Sequence, residues 1–279
     1  MKKYLTLSLI AVFWSCSGDD NVEPLPVNFL EAQTLTDVSY GADPEQKIDI
    51  YLPRRKNDHS TKVMFFVHGG GWTSGSKEEM TTSLEFAQQI FPDYAFVNIS
   101  YRLATPESPA YPKQIDDIKA VVAFIKKSDY SVSENYAFLG VSAGAHLSML
   151  YAYGFDPAHH VKAVCSIVGP TDFNDPAYTK NPDSDIIIQY LTSDTSKKFL
   201  TKVSPVTYVS RRAAPTIQFM GSADPLVPAS QGPRLKAKLD RYGVTNELNM
   251  YDAGHEDFSQ TNTEEIYTKL GLFFTKYFK

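Results

Sequence analysis

Apolar residues recur along this chain in two different periods. From Gln33 to Tyr40 and from Lys47 to Leu52 they alternate with polar ones; in the second segment Ile48, Ile50 and Leu52 interleave with Lys47, Asp49 and Tyr51. A period of two predicts a pair of half-buried antiparallel strands, joined by the turn signal Gly41-Ala42-Asp43-Pro44. The pattern then changes. Val63–Val67, Ala95–Ile99, Ala137–Leu139, Val161–Val168 and Thr216–Met220 are short continuous apolar runs, as expected of strands covered on both faces in a parallel sheet. Asn246–Tyr251 reads as the last strand. Helical spacing fills the gaps at Lys77–Ile90, Gln114–Lys127, Ala143–Tyr153, Ser230–Tyr242 and Glu264–Phe278; in the second of these Ile115, Ile118, Val121, Val122 and Ile125 mark one face. The alternation predicts an α/β fold: a mostly parallel eight-stranded sheet with helices on both faces. Residues 172–213 break the rhythm with Asp, Asn, Pro, Ser and Thr around one apolar patch (Ile186–Ile188, Tyr190, Leu191). They predict a short cap-like insertion over the carboxyl edge of the sheet, where a lid would sit.

Composition narrows the picture. The chain has 279 residues, 43% hydrophobic and 21% charged, enough to bury one large core. A net charge of −5 without blocks of one sign argues against nucleic acid as a partner. Of the two cysteines, Cys165 lies in an apolar run and reads as a buried core thiol.

The other, Cys16, closes a different kind of segment. Lys2 and Lys3 precede the apolar run Leu5–Trp14, which is too short to span a bilayer, and Ser15-Cys16-Ser17-Gly18-Asp19-Asp20 follows. This resembles a bacterial lipoprotein signal, so residues 1–15 are expected to be a cleaved signal peptide and Cys16 the lipidation site. Residues 16–32, with Pro24 and Pro26, are then a lipidated tether, and 33–279 the folded domain. The expected location is export to an outer membrane, facing the periplasm or the cell surface; the acidic pair Asp19-Asp20 resembles surface-export signals.

The candidate chemistry begins at Gly140-Val141-Ser142-Ala143-Gly144. It joins a strand run to a helical run, and a serine on such a turn projects its hydroxyl from the sheet edge. Alone the motif arises by chance in about one chain in ten of this length. A hydroxyl needs a base and a site for the oxyanion. His68-Gly69-Gly70-Gly71-Trp72 follows another strand run, and its glycines can turn N–H groups toward one point; Gly70, Gly71 and Ala143 are the expected oxyanion donors. The phosphate-loop spacings are absent. Asp224 stands just past Thr216–Met220 and His255 just past Asn246–Tyr251. Asp224 is preferred to Asp252, which is too near His255 along the chain. Of the six histidines, His255 alone follows both the serine and the acid beyond a strand. His68 is expected to shape the glycine loop and His146 to pack within the nucleophile helix. His159-His160 reads as a solvated turn, and no metal or organic cofactor is implied.

Together His68–Trp72, Tyr101-Arg102-Leu103-Ala104, Gly140–Gly144, Asp224 and Gly254-His255, with Pro112 and Asp117, resemble the α/β-hydrolase superfamily over residues 35–279. The nearest resemblance is to its hormone-sensitive-lipase-like and bacterial feruloyl/acetyl esterase branch. Val141, Ala145 and Thr105–Ser108 depart from that branch, and such departures bear on pocket lining. The resemblance implies ester hydrolysis by Ser142, Asp224 and His255, with acetyl or feruloyl esters of carbohydrates as substrates. Trp72, Tyr101, Tyr111, Tyr151, Tyr153, Tyr178 and Tyr190 could supply a stacking surface. The alternatives are a general short-chain carboxylesterase or lipase, a serine peptidase of the same fold, and a non-catalytic binding module. The expected partners are a small ester or esterified oligosaccharide, and a membrane only through Cys16.

Overall fold

A computed structural model describes residues 30–179 and 188–279. The expected signal peptide 1–15, Cys16 and most of the 16–32 tether lie outside the described residues. Eight strands form one sheet: β1 (Gln33–Ser39), β2 (Lys47–Leu52), β3 (Val63–Val67), β4 (Ala95–Ser100), β5 (Tyr136–Val141), β6 (Val161–Ile167), β7 (Thr216–Gly221) and β8 (Asn246–Tyr251). Their order is β1-β2-β4-β3-β5-β6-β7-β8, with β2 antiparallel to both neighbours and every other pairing parallel. The two strands with alternating polarity are thus the antiparallel edge, and the continuous apolar runs are the parallel centre.

Helices cover both faces. α2 (Lys113–Lys127), α3 (Ala143–Gly154) and α5 (Gln231–Arg241) share one core with Val63, Phe65 and Val67 of β3, while α1 (Thr81–Ile90) and α6 (Gln260–Tyr277) share a second with Met64 and Phe66. Successive β3 side chains therefore feed two separate cores, as a strand buried on both sides must. Cys165 is fully buried in the second core, which pushes its thiol pKa up.

Three local differences from the sequence reading have clear causes. Asp49 was expected on the solvent face of β2 but is buried, because Lys77 Nζ reaches over the sheet to it and to Asp37, at 3.0 Å each. Residues 77–80 form a 3₁₀ turn ahead of α1 rather than its first turn. The β4 side chains pull that turn tight: Ser100 Oγ accepts from Lys77 N at 3.1 Å, and Asn98 Nδ2 donates to Lys77 O at 2.7 Å. α6 begins at Gln260, not Glu264, because Ser259 caps it by accepting from Asn262 N at 3.1 Å.

The described part of the insertion carries a helical turn at Pro176–Thr179, α4 (Lys197–Val203) and a 3₁₀ turn at Pro205–Tyr208. It is anchored to the body at several points. Arg234 of α5 reaches Asp172 Oδ2 at 2.6 Å, Asp175 Oδ2 accepts from Ser230 Oγ at 2.6 Å, and Gln231 Oε1 accepts from Thr171 N and Asp172 N at 2.8 Å each.

Candidate active site

Ser142 sits between β5 and α3 at φ 52°, ψ −117°, a left-handed region that a side chain rarely adopts. The flanking glycines are there for space. A Cβ on Gly144 would lie 2.1 Å from Val67 O and 2.3 Å from His68 O, and one on Gly140 would lie 2.5 Å from Gly144 C. The turn is held by Ser142 N donating to Ile167 O at 2.8 Å. The hydroxyl is thereby presented above the carboxyl end of the sheet, with helix α3 starting beneath it.

The acid and the base arrive on the two neighbouring strand ends. Ser222 N donates to Tyr251 O at 2.8 Å and Ala223 N to Ala253 O at 3.0 Å, which pins the loop after β7 to the loop after β8. Asp224 Oδ1 accepts from Leu226 N and Val227 N, both at 2.8 Å, so its carboxylate is oriented before it meets the imidazole. His255 Nδ1–H donates to Asp224 Oδ2 at 2.7 Å. That bond fixes the tautomer and leaves Nε2 as acceptor for the Ser142 hydroxyl at 2.9 Å. The Asp224 side chain is inaccessible and that of His255 is 9% exposed, so the relay is largely shielded from water. Asp257, which sequence reasoning missed, caps the histidine loop by accepting from Gly254 N. The signal for it was an aspartate three residues past a glycine in a turn.

Gly70 and Gly71, at φ 91° and 56°, border the same cavity as Ser142 and His255. Among the described residues no hydrogen bond engages the N–H of Gly70, Gly71 or Ala143. The cavity measures about 560 Å³, and Trp72, Tyr178, Tyr190, Pro170, Leu226 and Val227 form its apolar walls. Of the aromatic residues considered for stacking, Trp72, Tyr178 and Tyr190 reach it, while Tyr101, Tyr111, Tyr151 and Tyr153 do not. Of the three departures from the esterase branch, only Val141 lines it. Glu79 and Glu256 stand at its border, exposed; among the described residues neither has an ion-pair partner and no lysine or arginine lines the cavity.

Of the remaining histidines, His59 is exposed, and His68, His146, His159 and His160 make contacts within the fold. His68 is buried, lies flat on the Tyr101 ring (4.1 Å between centroids, 3° between planes) and is pushed down to about 4 by burial. His146 does more than pack within α3. It accepts from Trp72 Nε1 through Nδ1 at 3.2 Å and donates through Nε2 to Val203 O at 2.8 Å, tying glycine loop, nucleophile helix and cap together. Burial lowers it to about 4 as well. His160 Nδ1 lies 2.8 Å from Glu134, and His159 Nε2 3.4 Å from Arg212. Among the described residues no group of three or more His, Cys, Asp or Glu side chains is placed to hold a metal ion.

The BD-FAE model, that of the bifunctional feruloyl/acetyl esterases among the α/β-hydrolases, matches residues 48–239. The chain belongs to the BD-FAE family. That span holds Gly70, Gly71, Ser142, Ala143 and Asp224; His255 lies beyond it. Among curated relatives the chain is 28% identical to Esterase LipC of Mycobacterium tuberculosis over 218 residues, 70% of this chain and 52% of LipC. The chain spans about half the length of the curated relatives it matches first. Many solved structures share the fold of this BD-FAE member. A truncated form of a carbohydrate esterase from gut microbiota has a TM-score of 0.70 at 20% identity, covering 88% of this chain and 99% of that one. The acetyl ester-xyloside bifunctional hydrolase from Caldicellulosiruptor lactoaceticus has a TM-score of 0.69 at 16% identity, covering 88% and 96%.

Proposed function

We propose that this BD-FAE family member is a serine carboxylic-ester hydrolase that removes acetyl or feruloyl groups from carbohydrates by acyl transfer. One observation carries the reaction: the unbroken relay from Asp224 through His255 to Ser142, opening on a cavity bordered by free backbone N–H groups. Ser142 Oγ attacks the ester carbonyl carbon while its proton passes to His255 Nε2. Asp224 holds the tautomer and stabilises the imidazolium. The oxyanion is met by the N–H groups of Gly70, Gly71 and Ala143, each worth roughly 3 to 4 kcal/mol by the usual cost of deleting one such donor. The C–O bond to the alcohol breaks, and His255 protonates the departing oxygen. Water then attacks the acyl-enzyme with His255 as base, releasing the acid and the free serine.

The substrate reading is supported by the family and by carbohydrate esters in the names of fold neighbours. The walls agree with it in part: Tyr190 is half-buried and can meet a feruloyl ring or a sugar face, whereas Trp72 and Tyr178, each 1% exposed, back the cavity as buried apolar support. The test is a panel of acetylated and feruloylated sugars beside short- and long-chain p-nitrophenyl esters, run with wild type and Ser142→Ala. Turnover of the sugar esters that disappears in the folded variant is expected. Ester hydrolysis retained by Ser142→Ala refutes the nucleophile, and preference for long acyl chains refutes the carbohydrate reading.

The reading extends to location: an outer-membrane lipoprotein anchored through Cys16, supported by the Lys2-Lys3, Leu5–Trp14 and Cys16 pattern. Metabolic labelling with a radioactive fatty acid, lost in Cys16→Ala, is the expected result; equal labelling of the variant removes the anchor.

A further inference from the structure

The glycine loop places its N–H groups by what happens to its carbonyls. In a planar trans peptide the C=O of one residue and the N–H of the next are fixed antiparallel. Whatever holds the Gly69 carbonyl therefore aims the Gly70 N–H, and whatever holds the Gly70 carbonyl aims the Gly71 N–H. The second of these is managed inside the loop: Gly70 O accepts from Thr73 N, Ser74 N and Ser74 Oγ, all at 3.0 Å. Gly70 itself is required there, because a Cβ would lie 2.1 Å from Ser74 O.

The first is managed from another part of the chain. Tyr101, just past β4, shares its O–H between His68 O and Gly69 O at 3.0 Å each. The other contact to Gly69 O is His68 Nδ1, 2.9 Å away on the adjacent residue. Tyr101 is only 1% exposed, and its ring is stacked on His68. The segment that follows is fastened to the same loop. Ala104 N donates to Trp72 O at 2.8 Å, and Gln114 Nε2 bridges Trp72 O at 2.7 Å and Arg102 O at 2.8 Å. Arg102 is locked in turn to the inaccessible Asp117 carboxylate. Tyr101 does not line the cavity, so it acts only through the loop.

We propose that Tyr101 is a positioning residue for the oxyanion site: by holding the Gly69 carbonyl on the far side of the loop, its hydroxyl points the Gly70 N–H at the reacting carbonyl. The proposal rests on the ester-hydrolase reading above.

Tyr101→Phe keeps the ring and its stack and removes only the donor. Deleting an oxyanion donor costs about 10²–10³ in kcat; here the amide stays and loses its aim, so kcat should fall about ten-fold with KM within two-fold of wild type. The discriminating readout is a transition-state analogue. An alkylboronic acid that adds to Ser142 places an oxygen at the oxyanion position, so its inhibition constant should weaken by the same factor as kcat/KM. The shape of the pH profile should stay put, since no group of the Asp224–His255–Ser142 relay is altered. 4-Aminophenylalanine at 101 restores a donor and should recover most of the loss. Should Tyr101→Phe not fold, 4-fluorophenylalanine against 4-aminophenylalanine at 101 makes the same comparison. A folded non-donor variant with wild-type kcat/KM and wild-type boronate affinity overturns the proposal, as does equal loss with and without a donor at 101. If instead wild type hydrolyses no ester and takes up no boronate, it is the ester-hydrolase reading that fails.

Discussion

His146 should make this protein acid-labile, by an amount that can be worked out. In the fold it is fully buried, with Nδ1 accepting from the Trp72 indole and Nε2 donating to Val203 O. A proton on Nδ1 would set two donors against each other in a dry site, and the pKa accordingly drops from 6.5 to about 4. The unfolded chain takes up the proton near pH 6.5 and the folded chain only near pH 4. Between those values the unfolded state binds more protons, so stability falls as pH falls. At about 1.36 kcal/mol per pKa unit, this one side chain removes about 2 kcal/mol by pH 5 and about 3 kcal/mol by pH 4, relative to pH 8. The assay is urea unfolding of wild type and His146→Gln at pH 8, 6, 5 and 4, followed by tryptophan fluorescence. Glutamine does not titrate, so the variant is expected to be less stable than wild type at pH 8, with the gap narrowing by about 3 kcal/mol at pH 4. The buried His68 contributes the same slope to both proteins and cancels. A gap that stays constant across the range would refute the reasoning, since His146 would then be titrating alike in both states.

Two further outcomes follow from the site. Gly144→Ala sets a Cβ 2.1 Å from the Val67 carbonyl, a backbone clash that no rotamer relieves; a loss of about 3 kcal/mol or more is expected in thermal or urea unfolding, and a wild-type melting temperature would show the turn to be more compliant than drawn. Glu79 and Glu256 give the cavity border a negative field, so a uronic-acid ester should turn over several-fold more slowly than its uncharged sugar counterpart at low salt; the gap should close in Glu79→Gln/Glu256→Gln and with added salt, and a gap indifferent to both excludes these carboxylates as its cause.

The parallel centre of the sheet was legible because its strands are buried on both faces and leave unbroken apolar runs. That made much of the site legible too: Ser142 and Asp224 were found just past such runs and His255 just past the last strand, and all three strand ends lie at the carboxyl edge, β7 beside β8 and β5 one strand away across β6. What stayed hidden depends on partners that the chain brings from elsewhere. Asp49 looks like a solvent-facing strand residue until Lys77 is known to cover it. Tyr101 belongs to a recognisable run, but the two carbonyls it binds cannot be foreseen from its spacing. His146 reads as a helix-packing histidine because Val203, its acceptor, lies in the insertion whose path has no periodicity to follow. The start of α6 was missed for a smaller reason: Ser259 was not read as a cap, and the apolar face begins only a turn later.

The order of the strands also has a bearing on how the chain comes off the ribosome. β3, β5 and α3 build the serine's turn, whereas the acid and the imidazole ride on β7 and β8, the last two strands to be made. Domains generally fold as units, and α6, the last element of all, supplies Ile266, Leu270, Phe273 and Phe274 to the core that also holds Met64 and Phe66. A nascent polypeptide therefore gains its proton acceptor and closes its second core in the same final stretch of synthesis. A fragment truncated before Asn246 would lack both: its hydroxyl would have no imidazole to take its proton, and one face of its sheet would stand open to water.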